Sequence, residues 1–121
     1  IQIPGFPNLF TVTGPGSPSV LTNMPMAIEQ HVEWITDCIS FMNQKKYTTI
    51  EAEQKSSKEW GLEVNEVANK TLLPTVKHSW YLGANIPGKP QVFMPYAGGL
   101  PKYTEVCNKV KNENYKGFNL S

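Results

Sequence analysis

Apolar residues recur at three- and four-residue steps over residues 23–43, through Met24, Ile28, His31, Val32, Ile35, Cys38, Ile39 and Met42. This spacing predicts a long amphipathic helix. Thr22 or Asn23 can cap it, and Pro25 fits its first turn, where a missing N–H costs nothing. A second helix is expected to begin near Ile50 or Glu51, with Thr48 or Thr49 as its cap. Its first half, 51–58, is nearly all polar, while its second half offers Trp60, Val64, Val67, Ala68 and Leu72 for burial before Pro74 ends it. A third helix is expected over 101–112, burying Tyr103, Val106, Cys107 and Val110, with Phe118 and Leu120 docking the tail. Two short β-rich runs, 8–13 and 92–96, read as strands. The expected fold class is mainly α with short β, an α+β arrangement whose strands lack partners within these residues. Residues 75–90 form a long loop holding His78, Trp80 and Tyr81, and a loop that long and aromatic usually carries function.

A chain of 121 residues suits one compact unit or one piece of something larger. Its 11 basic residues are all lysine, against 10 acidic ones. With no arginine and no basic stripe, nucleic acid is an unexpected partner, because arginine carries most bidentate recognition of bases and phosphates. The longest apolar runs are a few residues, too short for a membrane span, so a soluble cytoplasmic protein is expected. Cys38 and Cys107 each sit inside an amphipathic pattern and read as buried free thiols. Neither His31 nor His78 has neighbours at ligand spacing, so no metal is expected. The start at Ile1, without an initiator methionine and just before an orphan strand, is compatible with a processed end and a missing remainder.

Several short motifs fail on inspection. Residues 14–19 imitate a dinucleotide fingerprint between strand and helix, but Ser19 stands where the third glycine belongs. What survives is a helix start whose free N–H groups favour negative charge. Gly83, Gly88 and Lys89 match most of a phosphate-binding loop, yet Pro90 replaces the required Ser or Thr. Ser17 lacks the flanking glycines of a nucleophile elbow. His31 faces inward, where a satisfied core or interface histidine is the plain reading. Trp34 and Trp60 are packing residues, whereas Trp80, in the loop, is an even choice between packing and function.

The stretches 8–24 (NLFTVTGPGSPSVLTNM), 28–35 (IEQHVEWI), 79–89 (SWYLGANIPGK) and 115–118 (YKGF) resemble, in order, the C-terminal part of Baeyer–Villiger monooxygenases of the cyclohexanone, phenylacetone and steroid monooxygenase group. The resemblance implies FAD and NADPH as cofactors, and conversion of ketones to esters or lactones with dioxygen through a flavin C4a-peroxide. It implies that residues 1–22 are the last strand and loop of the FAD-binding domain of a flavoprotein with two dinucleotide-binding domains. Residues 23–74 would then be long helices, and 75–121 the cofactor-lid loop, a strand and the C-terminal helix. By the same resemblance Asn23 and Met24 approach the flavin, where the helix dipole favours a negatively charged ring. Ser19, Val20, Leu21 and Thr22, with Met94 and Pro95, wall the substrate pocket. Trp80 belongs to the mobile loop over the nicotinamide cofactor, which excludes water, and Lys89 closes that motif.

Absent from the chain are both nucleotide-binding glycine motifs, the F-x-G-x-x-x-H-x-x-x-W signature and the family's catalytic arginine. The expectation is therefore a fragment with no catalytic residue of its own, inactive alone and binding neither cofactor, with the parent's remainder as its partner. Self-association through an uncovered strand edge is a further expectation. Two alternatives stand beside it: a free-standing small binding module for an apolar ligand near Leu21, Trp80 and Met94, and a fragment of an N- or S-oxygenating flavin monooxygenase.

Overall fold

In the computed structural model, which describes residues 1–76 and 79–121, three helices and a two-stranded ribbon enclose one main core. His78 lies outside the described residues. Helix α1 runs over Met24–Lys45, with Pro25 in its first turn and Asn23 as its cap. It ends at Lys46, whose left-handed backbone (φ +62°) closes the last turn. Strand β1 (Ile50–Ala52) leads into α2 (Gln54–Asn69), α3 covers Leu100–Asn112, and β2 (Phe118–Leu120) ends the fold. Three 3-10 turns, Ser19–Leu21, Leu73–Thr75 and Trp80–Leu82, punctuate the loops.

Burial explains the arrangement. Trp34, Cys38 and Met42 of α1 meet Val64 of α2, Tyr103 and Cys107 of α3, and Ile50, Tyr96 and Tyr115 in a single cluster. Trp34 meets Tyr115 edge-on at 5.1 Å, a favoured geometry for aromatic quadrupoles. A satellite cluster of Ala68, Leu82 and Phe93, with Leu21, Leu73 and Tyr81 against it, lies under the loops. Among the described residues no helix is long and apolar enough to cross a membrane.

The strands are not where the alternation placed them. Residues 8–13 form no strand, with turns at 8 and 12–13 and positive φ at Asn8 and Thr13, because no neighbouring strand offers them a ladder. Residues 92–96 are extended but bond to a 3-10 turn and a glycine loop: Val92 N–H donates to the Leu82 carbonyl (3.1 Å), Met94 to Tyr81 (3.0 Å) and Tyr96 to Ser17 (2.7 Å). The true strands are β1 and β2, antiparallel with Ile50 opposite Leu120 and Ala52 opposite Phe118. β1 occupies residues expected to begin the second helix, which therefore starts at Gln54, with Glu53 rather than a threonine at its cap. Asn8 finishes the ribbon edge: its N–H donates to the Ile50 carbonyl and its Oδ1 accepts the Ile50 N–H, both at 2.9 Å. The inner face of α1 is also rotated from the expected stripe. Ala27 and Trp34 are buried, while Ile28, Val32 and Ile39 are exposed, as is Leu72 beyond α2.

Candidate functional site

A small cleft of about 170 Å³ is lined by Thr13, Gly14, Pro15, Ser19, Trp80, Tyr81, Met94 and Pro95. Backbone bonds bring these distant segments together. Gly16 N–H donates to the Met94 carbonyl (2.8 Å), and Met94 N–H in turn donates to Tyr81, so the glycine loop, the extended segment and the Trp80 turn form one layer. Trp60 on α2 fastens the layer from below, its indole N–H donating to the Gly16 carbonyl at 3.0 Å. Glycine is needed there: Gly16 has φ +80°, and a Cβ would fall 2.9 Å from Trp60 Nε1. Ser17, buried, closes the loop by donating from its hydroxyl to the Gly14 carbonyl (2.7 Å).

Trp80 opens the turn Trp80–Leu82, which Ser79 caps by accepting the Tyr81 N–H on its hydroxyl. Its ring lies on Tyr81 with centroids 4.1 Å apart, yet 57% of the residue stays exposed. An indole held by a neighbour but left open on one side suits stacking against a flat ligand.

Of the residues singled out in the sequence, Ser19, Trp80, Met94 and Pro95 meet in this cleft. Val20 is exposed beside it, and Leu21 turns away to pack on the satellite cluster. Thr22 donates its N–H to the Ser19 carbonyl, ending the turn that leads to α1. Asn23 is exposed and caps α1 with its Oδ1 accepting the Met26 N–H at 3.5 Å, and Met24 is half-buried beside it. Lys89 is exposed on the far side of the loop, in reach of Gly83 and outside the cleft lining. Thr13, Gly14, Pro15 and Tyr81 complete the lining without a role assigned to them by any motif. Their signal lies in the same stretches of sequence, where each adjoins an expected site residue or its motif.

Among the described residues, no charged side chain, cysteine or histidine lines the cleft. Its described walls offer shape and an aromatic surface for stacking. Immediately behind it, His31 is fully buried, and burial lowers its pKa to about 4. Its Nδ1 accepts the Thr13 N–H (2.7 Å), which leaves the proton on Nε2, 3.0 Å from the Tyr103 hydroxyl. It is thus a satisfied core histidine. Cys38 and Cys107 are buried free thiols, and desolvation pushes Cys38 up to about 11. A larger cleft of about 390 Å³ lies between α2, α3 and residues 1–2, around Trp60, Val106 and Phe118. It contains none of the expected site residues.

No family model matches the chain. It is 38% identical to the cyclohexanone 1,2-monooxygenase of Acinetobacter sp over 99% of its own length and 22% of that protein. It is also 38% identical, over 96% of its length and 21% of the relative, to a phenazine N-monooxygenase of Lysobacter antibioticus. Its structure superposes over its whole length on 22% of a crystal structure of cyclohexanone monooxygenase from Rhodococcus sp. Phi1 bound to NADP+, at 37% identity with a TM-score of 0.91. Cyclohexanone and Baeyer–Villiger monooxygenases thus stand among the relatives and structural neighbours together with the phenazine N-monooxygenase, and the chain spans about a fifth of their length.

Proposed function

We propose that the chain is the C-terminal part of an FAD- and NADPH-dependent Baeyer–Villiger monooxygenase that converts ketones to esters or lactones. The observation that carries this reading is the full-length superposition on an NADP+-bound monooxygenase, joined by a cleft that gathers Ser19, Trp80, Met94 and Pro95. Residues 1–22 end the FAD-binding domain, 23–74 supply the long helices, and 75–121 supply the lid loop, an extended segment and the last helix.

The residues fit the cofactors as a partial wall. At about 170 Å³ the cleft is smaller than the roughly 300–1,000 Å³ of a complete ligand site, so the rest of the pocket comes from elsewhere. The exposed face of Trp80 suits a nicotinamide ring, and the start of α1 at the exposed Asn23 and half-buried Met24 suits the electron-rich flavin. FAD and NADPH, when bound, supply the redox chemistry with dioxygen. This chain's residues orient and enclose. Trp80 and Tyr81 cover the site and keep water out, while Ser19, Met94 and Pro95 in the cleft, with Val20 exposed beside it, set which ketone fits. A methylene-scale change in such an apolar wall alters selectivity by about 1–3 kcal/mol. Lys89 offers a cation to a cofactor phosphate. The chain has no arginine and so contributes no arginine to the reaction, and alone it is inactive.

N-oxygenation is the second reading, favoured by the phenazine N-monooxygenase relative at equal identity. The test replaces the matching fifth of the Acinetobacter cyclohexanone monooxygenase with this chain. A folded, FAD-containing chimaera that oxidises NADPH in a ketone-dependent way and forms lactone supports the proposal. One that turns over NADPH and forms an N-oxide from an aromatic amine, without lactone from any ketone, overturns it in favour of the second reading.

A further inference from the structure

His31 takes no direct part in the cleft, yet it holds one edge of it. The ring is fully buried on α1 and fixed from two sides, by the Thr13 N–H at Nδ1 (2.7 Å) and the Tyr103 hydroxyl at Nε2 (3.0 Å). Thr13 has φ +52°, a left-handed conformation that a β-branched residue rarely adopts without external support. Gly14 follows in a space with no room for a side chain, since a Cβ there would lie 2.7 Å from the Thr11 hydroxyl. The later part of the loop has its own ties, at Gly16 to Trp60 and Met94 and at Ser17 to Tyr96. Among the described residues, the Thr13 N–H has His31 as its acceptor, and no other bond ties Thr13 to the helices.

We propose that His31 is a positioning residue for the cleft: by accepting the Thr13 N–H it fixes the left-handed turn that delivers Thr13, Gly14 and Pro15 to the wall shared with Trp80 and Tyr81. The hydrogen bond sits outside the cleft, so it shapes the wall without touching what binds there. The neutral ring, with its proton on Nε2, is the form that does this, because only an unprotonated Nδ1 accepts. The purpose of the wall rests on the ketone reading above, whereas the tie itself does not.

The test uses the full chain labelled with 15N. A through-hydrogen-bond 15N–15N coupling between the Thr13 amide and His31 Nδ1 is expected in the wild type, and its absence from a folded sample overturns the proposal. His31→Asn places an amide oxygen near the Nδ1 position, whereas His31→Gln places one near Nε2. The expected result is that H31N keeps Thr13 amide exchange within about threefold of wild type, while H31Q speeds it by about tenfold or more and shifts the Trp80 indole resonance. Amides of α1 stay equally protected in both. If the two variants leave Thr13 and Trp80 alike, the histidine only packs and the proposal fails. Should H31Q not fold, fast exchange at Thr13 in a folded H31N also overturns it. In the chimaera, H31Q is expected to raise KM for the ketone with kcat within about twofold. A chimaera inactive towards ketones, with the Thr13 coupling intact, defeats the functional reading and leaves this one standing.

Discussion

The indole N–H of Trp34 donates to the backbone carbonyl of Cys107 at 2.9 Å, tying α1 to α3 across 73 residues of sequence. Because Trp34 also sits against Tyr115 and Phe118, it joins the two helices and the tail in one aromatic contact. Trp34→Phe keeps one aromatic ring but loses the bond and part of the indole's packing, so a loss of at least about 1 kcal/mol in urea unfolding is expected. Trp34→Ala opens a cavity as well and should lose about 3–5 kcal/mol. No measurable loss for Trp34→Phe would show that the bond itself contributes nothing.

Two glycines of similar φ separate close approach from backbone strain. Gly16 (φ +80°) faces the Trp60 indole, whereas at Gly5 (φ +88°) an added Cβ would meet nothing within 4 Å. Gly5→Ala should lose about 1 kcal/mol, and Gly16→Ala at least about 1 kcal/mol more, measured by the same unfolding curves. A Trp60→Phe background should shrink the difference, since the N–H that crowds the new methyl is gone.

His31 sets a pH dependence. Its neutral form is favoured in the fold, with the pKa lowered from 6.5 to about 4 by burial. The stabilisation is therefore complete above pH 6.5 and is lost as pH falls through 6.5 towards 4, with a slope of at most about 1.4 kcal/mol per pH unit. Stability of the wild type should fall more steeply than that of His31→Asn over this window, and parallel curves would refute the assignment.

Trp80 should show opposite behaviour in stability and function. Being largely exposed, it should change unfolding free energy by less than about 1 kcal/mol when replaced by alanine. In the chimaera the same substitution should weaken NADP+ by about tenfold or more and divert turnover to hydrogen peroxide, read from the ratio of peroxide to lactone. Unchanged coupling would remove Trp80 from the lid.

Uncovered apolar surface predicts self-association of the isolated chain. Phe6, Leu9 and Val12 before α1, and Ile28, Val32 and Ile39 on it, are all exposed. Light scattering should report dimers or larger species at high concentration, and a persistent monomer would defeat this expectation.

The first helix with its cap and the third helix were legible in the chain because they depend on local spacing. The periodicity of α1, Asn23 as its cap and the span of α3 need only the residues within each element. Four of the expected site residues also met in one cleft, because the glycine loop, the Trp80 turn and residues 94–95 fold against each other. Non-local partners decided what remained. Residues 8–13 and 92–96 have strand-like composition, but a strand exists only beside another, and the ribbon formed where 50–52 could meet 118–120. Which face of α1 turns inward was likewise set by the aromatic surface of α3 and the tail, which buried Trp34 and left Ile28 and Val32 outside. The sequence by itself thus determined the first and third helices, the cap of the first and the residue types available to a site. The tertiary structure alone decided the strand pairing, the buried face and the tie from His31 to Thr13, since each depends on contacts between segments far apart in the chain.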